Sequence, residues 1–337
     1  MKRAFLRESL MSEEEDDDLG IKPGIVIDSS KANYVVINLL GEGGFGAVYK
    51  VHDQKNPKKE YAMKVEKKIE QRRHSKLKME IAILKLVSGR RKQSHFTTIV
   101  DRGKKETFFF LVMELVGKSL ADLKALRPNK VFTVPTSMGA GIQCLEACED
   151  LHKYGFIHRD LKPANYACGL GDKRRVVYIL DFGIARKITN AKGELKTPRQ
   201  TVRFKGTIRF ASIACHKNVE MGPKDDCESW FYLILDITVP GGLLWKSKSE
   251  KDDVLKVKEQ MRSPERRDAA FGVLPCKEEL SKILDYIDSL KYHDHVDYEF
   301  IYKLSEQGAK SAGGDIKDLY DWEKTIEPTV TTITKAP

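Results

Sequence analysis

FIHRDLKPANYACG at residues 156–169 and VVYILDFG at residues 176–183, separated by a short basic connector, decide the fold. The pattern predicts an apolar strand, a polar loop, a hairpin and a second strand that ends beside the loop. The loop carries Asp160, Lys162 and Asn165, and the second strand ends at Asp181. We therefore expect two carboxylates, an ammonium group and a side-chain amide to lie near one another.

Phosphoryl transfer uses these side chains, because its catalysis rests on placing a hydroxyl and clustering cations around a γ-phosphate. Asp160 can accept the proton of the substrate hydroxyl, and Lys162 can contact the transferring phosphate. Asn165, five residues after Asp160, and Asp181 can bind magnesium. A single HRD tripeptide would be better explained as a surface loop with a salt bridge. Two ordered motifs at this separation favour the catalytic interpretation.

With these motifs the chain resembles a eukaryotic protein kinase, and LKPAN after Asp160 is typical of the serine/threonine type. The resemblance implies an α+β, bilobal protein kinase fold. The small β-rich N-lobe, with one main helix, would span residues 30–115, and the larger helical C-lobe residues 116–323. It also implies transfer of the γ-phosphate of ATP, with Mg²⁺, to serine or threonine of protein substrates. A pseudokinase that acts as a binding scaffold is the alternative, although a scaffold has no chemical need for the complete catalytic set.

A glycine-rich stretch predicts the nucleotide site. GEGGFGAV at residues 41–48 has Gly41, Gly43 and Gly46 at the glycine positions of GxGxxGxV, which let a hairpin lie close over phosphates. AVYKVHD then continues as a strand, whereas the glycines of a dinucleotide-binding fold lead into a helix. The kinase resemblance implies further nucleotide contacts from Leu40, Val48, Ala62, Met113 as gatekeeper, Glu114 and Val116.

A lysine in the following strand needs a carboxylate partner. The strand EYAMKV carries Lys64, which the kinase pattern pairs with the α- and β-phosphates. Glu80 lies on the inward apolar stripe of the next predicted helix, so that it is the candidate partner. Pairing of Glu80 at the surface with Lys76 or Lys85 is the alternative.

The residues after the second strand have the length of an activation segment. Thr207 is predicted to hydrogen-bond near Asp160 and Lys162 and so to orient the catalytic base. Asp226 precedes the apolar sequence SWFYLILDI, which predicts a buried central helix. A carboxylate at that position can hold the backbone of the catalytic loop.

The end of this segment narrows the resemblance. Most protein kinases close it with APE, but this chain has RFASIACHKNVEMG at residues 209–222. That sequence is similar to the casein kinase 1 superfamily, and FKGTIRFAS, HKNVEMG and YDWE at residues 320–323 resemble the tau-tubulin kinase branch most closely. The chain departs at Phe210, Pro223 and Glu228, where these relatives commonly have tyrosine, a basic residue and tryptophan.

Five basic residues are predicted to recognise acidic substrates. Clustered cations repel one another when no acidic side chain neutralises them, so that such a cluster favours an anionic ligand. We therefore expect selection of acidic or already phosphorylated Ser/Thr sites, as the resemblance also implies. Scattered, solvated surface charge is the alternative. The five are Arg159, Arg203, Lys205, Arg209 and Lys246, the last expected at the start of a helix.

Charge and composition limit the classes of partner. The 337 residues carry a net charge of +10, and the first 20 residues, with three basic and seven acidic side chains, leave +14 for the rest. A body this basic attracts nucleic acid, anionic membranes or acidic proteins. No nucleic-acid-binding motif stands out, and no apolar run approaches the roughly 18 residues that span a bilayer. We expect a monomer that acts on protein substrates in the cytoplasm or nucleus, without nucleic-acid or membrane partners.

Composition also predicts the domain boundaries. Residues 1–29 read as an acidic, disordered tail, residues 30–323 as the kinase domain and residues 324–337 as a short Thr-rich tail. The N-terminus runs into EEEDDD without an apolar segment, which is unlike a secretory signal. The six cysteines form no CxxC pair, so that we expect packing residues rather than disulfides or zinc ligands.

Overall fold

The chain forms two compact units. The computed structural model describes residues 19–43, 46–69, 75–87 and 93–324. The first unit comprises Met1–Ser88 and Thr97–Leu115, and the second comprises Gly89–Phe96 and Val116–Pro337. The described part of the first unit is mainly a β-sheet and that of the second is mainly helical, which confirms the predicted α+β class. Within these ranges, every helix is too short or too polar to cross a membrane.

The first unit is built on a six-stranded sheet, with strands in the order β1-β2-β3-β4-β6-β5 and antiparallel pairing throughout. The strands are β1 (Val26–Asp28), β2 (Asn33–Gly43), β3 (Gly46–Asp53), β4 (Asn56–Lys67), β5 (Ile99–Lys104) and β6 (Phe108–Glu114). Buried and less buried residues alternate along β3, so that Ala47, Tyr49 and Val51 enter one core. The described helix of this unit is α1 (Lys76–Val87).

The ordered fold begins before Ser30. Val26 pairs with Val35 across β1 and β2, and Ile27 is buried in the core of the sheet unit. This strand lies within residues 1–29, which were predicted as a disordered tail, so that the predicted boundary is corrected. A three-residue strand is stabilised by its pairing with β2 rather than by local composition. The acidic block at residues 13–18 and most of the predicted Thr-rich tail lie outside the described residues.

Two long helices form the centre of the second unit. Residues Asp225 to Thr238 of α5 are all buried, as the apolar sequence predicts, and α3 packs against α5. The helices are α2 (Leu120–Ala125), α3 (Val134–Lys153), α4 (Ile213–His216), α5 (Pro223–Thr238), α6 (Lys251–Gln260), α7 (Pro264–Phe271), α8 (Lys277–Ser289) and α9 (Tyr298–Ser311). Two short antiparallel pairs flank the catalytic loop, β7 (Phe156–Ile157) with β10 (Arg186–Lys187), and β8 (Tyr166–Cys168) with β9 (Val177–Ile179). All six cysteines are buried and unbonded to one another.

Candidate active site

The catalytic loop is fixed to α5 by one buried carboxylate. Asp226 accepts hydrogen bonds from the backbone N–H groups of His158, at 2.7 Å, and Arg159, at 2.9 Å. His152, in the last turn of α3, lies 2.8 Å from the same carboxylate. Burial raises the pKa of Asp226, but the hydrogen bond and charge of His152 outweigh it, so that the pKa lies below its ordinary value. Asp226 therefore holds the loop backbone as an ionised group.

Asp160 lies at the centre of a hydrogen-bonded cluster. The Thr207 hydroxyl donates to Asp160 Oδ1 at 2.7 Å, and Lys162 Nζ lies 2.9 Å from Asp160 Oδ2 and 2.8 Å from Thr207 Oγ1. Asn165 Nδ2 donates to the backbone oxygen of Asp160 at 2.8 Å. Asp160 is 7% exposed, whereas the Lys162 side chain is 25% exposed. The structure thus brings together the three predicted catalytic residues and the predicted metal ligand Asn165.

Asp181 follows a strand that is hydrogen-bonded to the loop. Leu180 N donates to Asn165 O at 2.8 Å, which holds the end of this strand beside the loop. Asp181 has φ of 64°, a left-handed conformation that costs about 1–3 kcal/mol for a residue other than glycine. The next residue, Phe182, is buried and stacks on Phe96 with ring centroids 5.8 Å apart, which fixes the backbone there.

The donor atoms suit magnesium. Because Asn165 Nδ2 is used by Asp160, its carbonyl oxygen Oδ1 is the atom that can face a cation. Together with the carboxylate of Asp181 it offers the hard oxygen ligands that Mg²⁺ prefers. The residues present therefore fit the predicted metal site.

In the first unit, Lys64 of β4 and Glu80 of α1 form an ion pair with an N–O distance of 2.6 Å. Their side chains are 11% and 4% exposed. The structure thus pairs Glu80 with Lys64, the first of the two arrangements that the sequence allows. Removal of either partner would take a counter-charge away from a largely buried charged group.

Glu66 also fixes α1, and the sequence pattern did not predict this. Its carboxylate accepts the backbone N–H groups of Lys76, at 3.0 Å, and Leu77, at 2.8 Å, at the start of α1. These first-turn amides have no partner inside a helix. Glu66 follows Lys64 by two residues and so lies on the same face of β4, a spacing that could have revealed it.

Gly46, at the start of β3, lies close against β4. Gly43 and Gly46 pair across the end of β2 and β3, and Gly41 pairs with Val48. Gly46 has φ of 117°, and a Cβ at this position would lie 1.9 Å from Val65 O, so that only glycine fits. Gly44 and Phe45, between β2 and β3 in the sequence, lie outside the described residues.

The other predicted nucleotide contacts lie in different surroundings. Ala62 and Met113 are buried and opposite each other on β4 and β6, whereas Leu40 is 49% exposed on β2. The backbone N–H of Glu114 donates to Thr98 O at 3.0 Å, a hydrogen bond within the first unit. Val116 belongs to the second unit.

The predicted anion-site residues include four exposed cations, Arg203, Lys205, Arg209 and Lys246. Arg209 Nη2 donates to Lys246 O at 3.1 Å. Lys246 lies in a turn and not, as predicted, at the start of a helix, because α6 begins only at Lys251. The turn is held by Trp245, which is 1% exposed and donates through Nε1 to Arg209 O at 2.8 Å.

Arg159 differs from these four. Its guanidinium donates through Nε to Ile184 O at 2.7 Å, and burial, followed by the charge of Arg186, lowers its pKa to about 10. Nearby, the buried carboxylate of Glu220 lies 2.6 Å from Arg199 Nε and 3.4 Å from Arg186 Nε. Glu220 thus neutralises Arg186 and Arg199, two basic residues that the predicted anion site does not include.

Comparison with known proteins gives the family. Residues 34–295 match the family described as protein kinase domain. The chain is 30% identical over 307 residues to a probable serine/threonine-protein kinase of Dictyostelium discoideum, an alignment that covers 91% of this chain and 59% of that protein. It is 31% identical over 319 residues to the serine/threonine-protein kinase spe-6 of Caenorhabditis elegans, covering 93% and 82%. A putative serine/threonine-protein kinase of the same nematode is 32% identical over 267 residues, covering 78% of each chain. The chain therefore belongs to the protein kinase family.

Proposed function

We propose that this chain is an active, ATP-dependent serine/threonine protein kinase. The cluster of Asp160, Lys162 and Thr207 is the observation that carries the proposal. One hydroxyl lies within 2.8 Å of both the carboxylate and the ammonium group, so that the orientation of the candidate base is fixed. Preorganisation of this kind is what phosphoryl transfer requires of a protein.

The roles of the residues follow from their chemistry. Bound ATP with Mg²⁺ supplies the γ-phosphoryl group and neutralises part of its charge. Asp160 orients the substrate hydroxyl and accepts its proton, and Lys162 stabilises negative charge on the transferring group. Asn165 and Asp181 would hold the metal. Lys64, kept in place by Glu80, would hold the α- and β-phosphates.

We further propose that the chain belongs to the casein kinase 1 superfamily, in the tau-tubulin kinase branch. The missing APE motif supports the superfamily, because the chain has RFASIACHKNVEMG at residues 209–222 in its place. The structural role of that motif falls to Glu228, a position at which this chain departs from the tau-tubulin branch. Glu228 of α5 accepts the backbone N–H of Ile213 and lies 3.1 Å from Arg262 Nη2. A single buried carboxylate thereby ties the segment to α5 and to the residue that follows α6.

The substrate class proposed is protein with acidic or phosphorylated residues near the acceptor. Arg203, Lys205 and Arg209 are exposed on the segment that contains Thr207, and Lys246 is tied to Arg209. Arg159 contributes to segment structure rather than to this surface, since its guanidinium is largely buried against Ile184 O.

Transfer of ³²P from ATP to casein by the purified chain, in the presence of Mg²⁺, tests the activity. We expect Asp160→Asn and Asp181→Asn each to lower kcat by about two to four decades without unfolding the protein. Circular dichroism and thermal unfolding provide the folding control. Activity of either variant within about threefold of wild type would reject the assigned roles. A wild-type protein that binds ATP but transfers no phosphate would instead support the pseudokinase alternative.

A further inference from the structure

Lys258 is a fully buried lysine in α6. Its exposure is 0%, although lysine is among the residues least often buried. Its Nζ lies 3.1 Å from Ile208 O, 2.6 Å from Ala211 O and 3.2 Å from His216 Nε2. Within the described part of the chain, these are its hydrogen-bonding partners, and none of them is a carboxylate.

The surroundings of Nζ combine aromatic rings with a few charged groups. The rings of Tyr232 and Trp245 lie 4.6 Å and 5.2 Å from Nζ. Burial is the largest influence and lowers the pKa of Lys258 to about 7. Glu228 of α5 and Cys215 of α4 raise this pKa, and Arg262 after α6 lowers it. The amine therefore changes charge near neutral pH.

The hydrogen bond between Lys258 and His216 depends on the charge of the lysine amine. Burial, followed by the charge of Lys258, lowers the pKa of His216 to about 4, so that its ring is neutral at pH 7. Its Nδ1 is buried without a hydrogen-bond partner. A neutral imidazole carries one proton, either on Nδ1 or on Nε2.

The two protonation states of Lys258 satisfy this site unequally. A neutral amine donates to Ile208 O and Ala211 O and accepts from His216 Nε2–H, which leaves only a lone pair unused at Nδ1. An ammonium group has no lone pair. If His216 keeps its proton on Nε2, where Ile208 O can accept it at 3.2 Å, the third N–H of Lys258 faces another donor; if the proton moves to Nδ1, that buried N–H has no acceptor. In either case one buried N–H loses its acceptor, which is costly. Loss of the lysine proton thus strengthens the network.

The network holds a turn that reaches the catalytic loop. Phe210 N and Ala211 N both donate to Thr207 O, at 2.9 Å and 3.0 Å. Ile208, whose carbonyl contacts Lys258, is the next residue after Thr207. The Thr207 hydroxyl in turn lies 2.7 Å from Asp160. Stronger hydrogen bonds from Lys258 to this turn therefore restrict the position of Thr207, which orients the candidate base Asp160.

We propose that Lys258 and His216 form a proton-dependent anchor for the turn of residues 207–211, and that Lys258 is thereby a positioning residue for phosphoryl transfer. The catalytic part of this inference rests on the proposed kinase function. Because the solvated, open turn takes up the proton more readily than the closed one, the anchor tightens as the pH rises through neutrality. Activity that depends on the turn rises in the same direction.

The test compares Lys258→Met with Lys256→Met in the full chain. Lys256 is exposed on the same helix and serves as the matched control. Methionine fills the space of the lysine stem but can neither donate nor titrate. We expect kcat/KM of wild type relative to Lys258→Met to rise by about threefold or more between pH 6 and 8. The control variant should follow wild type over this range, and KM for ATP should stay the same in both variants.

A second measurement is independent of catalysis. With ¹³Cε-labelled lysine, we expect wild type to show one lysine signal that titrates near neutral pH and that is missing from Lys258→Met. His216→Gln should shift this titration if Lys258→Met fails to fold. Absence of such a signal, or identical pH profiles of wild type and Lys258→Met, would overturn the proposal. If the titration is present but the wild type transfers no phosphate, the anchor stands and the proposed kinase function fails.

Discussion

Thr207 places one hydroxyl between a carboxylate and an ammonium group. Its Oγ1 donates to Asp160 and accepts from Lys162, and so satisfies both groups at once. Without this bridge, Asp160 Oδ2 would still contact Lys162 and Asn165 Nδ2, but Oδ1 would lose its hydrogen bond from Thr207. The hydroxyl thus keeps the carboxylate of Asp160 in a single orientation.

Thr207→Val tests the value of this hydroxyl. Valine keeps the shape of threonine but cannot bridge, so that we expect kcat to fall by about 10- to 100-fold with little change in KM for ATP. Steady-state phosphorylation of casein measures both constants. Thr207→Ser retains the hydroxyl and should recover most of kcat. Equal kcat for the valine variant and wild type would mean that the bridge does not orient the base.

At the scale of elements, β4 holds α1 at two points. Lys64 reaches Glu80 in the second turn of α1, and Glu66 reaches the amides of its first turn. Both side chains leave the same face of one strand because they are two residues apart. The ion pair therefore does not depend on α1 alone for its geometry.

Glu66→Ala should loosen α1 and, through it, Lys64. The first-turn amides lose their acceptor, which should lower the free energy of unfolding by about 1–2 kcal/mol and raise KM for ATP several-fold. Thermal unfolding and ATP titrations measure the two effects. Glu60→Ala, which removes a more exposed partner of Lys50 on the same strand, is the control. Indistinguishable results for the two variants would contradict the anchoring role.

The activation segment contains a buried carboxylate, that of Glu220. The carboxylate of Glu220 is 4% exposed and contacts Arg186 and Arg199. Burial raises its pKa, but the hydrogen bond from Arg199 and the charge of Arg186 outweigh it, so that the pKa lies below its ordinary value of 4.5. A phosphate on the segment could pair with arginines in the same way. We expect this carboxylate to take the place of such a phosphate.

We therefore expect protein made in bacteria and treated with phosphatase to stay active. Glu220→Gln should lower activity and stability, because two arginines lose their buried counter-charge. The stability that Glu220 contributes is present above its unfolded pKa and disappears as the pH falls through the lower folded value. Unfolding curves at several pH values measure it, with exposed Glu194→Gln as control. Activity that vanishes on phosphatase treatment and returns with an upstream kinase would refute this expectation.

At the scale of the whole molecule, charge affects the choice of substrate. The chain after residue 20 carries +14, and exposed cations occur on the segment beside the catalytic residues. Such a surface attracts acidic peptides, and salt weakens this attraction. Exposed cations elsewhere on the chain contribute to the long-range attraction but do not lie on this segment.

Arg209→Ala separates the local contribution of the cations beside the catalytic residues from the long-range attraction by the net charge. Two peptides that differ only by a phosphoserine near the acceptor are assayed with the variant and with wild type. We expect wild type to prefer the phosphorylated peptide and the variant to lose about 1–3 kcal/mol of that preference, chiefly in KM. Lys303→Ala on α9 removes an exposed charge and should keep the preference. A preference that Arg209→Ala leaves unchanged would show that this surface does not select the substrate.

The sequence by itself determined much of the fold and of the candidate site. The apolar sequence of α5 required burial on every side, and the stripe of α1 directed Glu80 inward. The catalytic set could be predicted because Asp160, Lys162 and Asn165 lie within six residues of one loop. In such a loop, residue spacing alone limits which side chains can meet. The order of two motifs then identified the chemistry.

Only the tertiary structure decided which charges are buried and what neutralises them. Helical spacing places Lys258 on the same face as the buried Val254 and Met261. The sequence does not show what satisfies its amine, because its partners Ile208 and Ala211 come from a segment 47 to 50 residues away. Composition likewise did not predict that β1 pairs with β2. Periodicity shows which face of an element is apolar, but not which other element covers that face. Burial and charge compensation depend on that second element, and the packed fold alone supplies it.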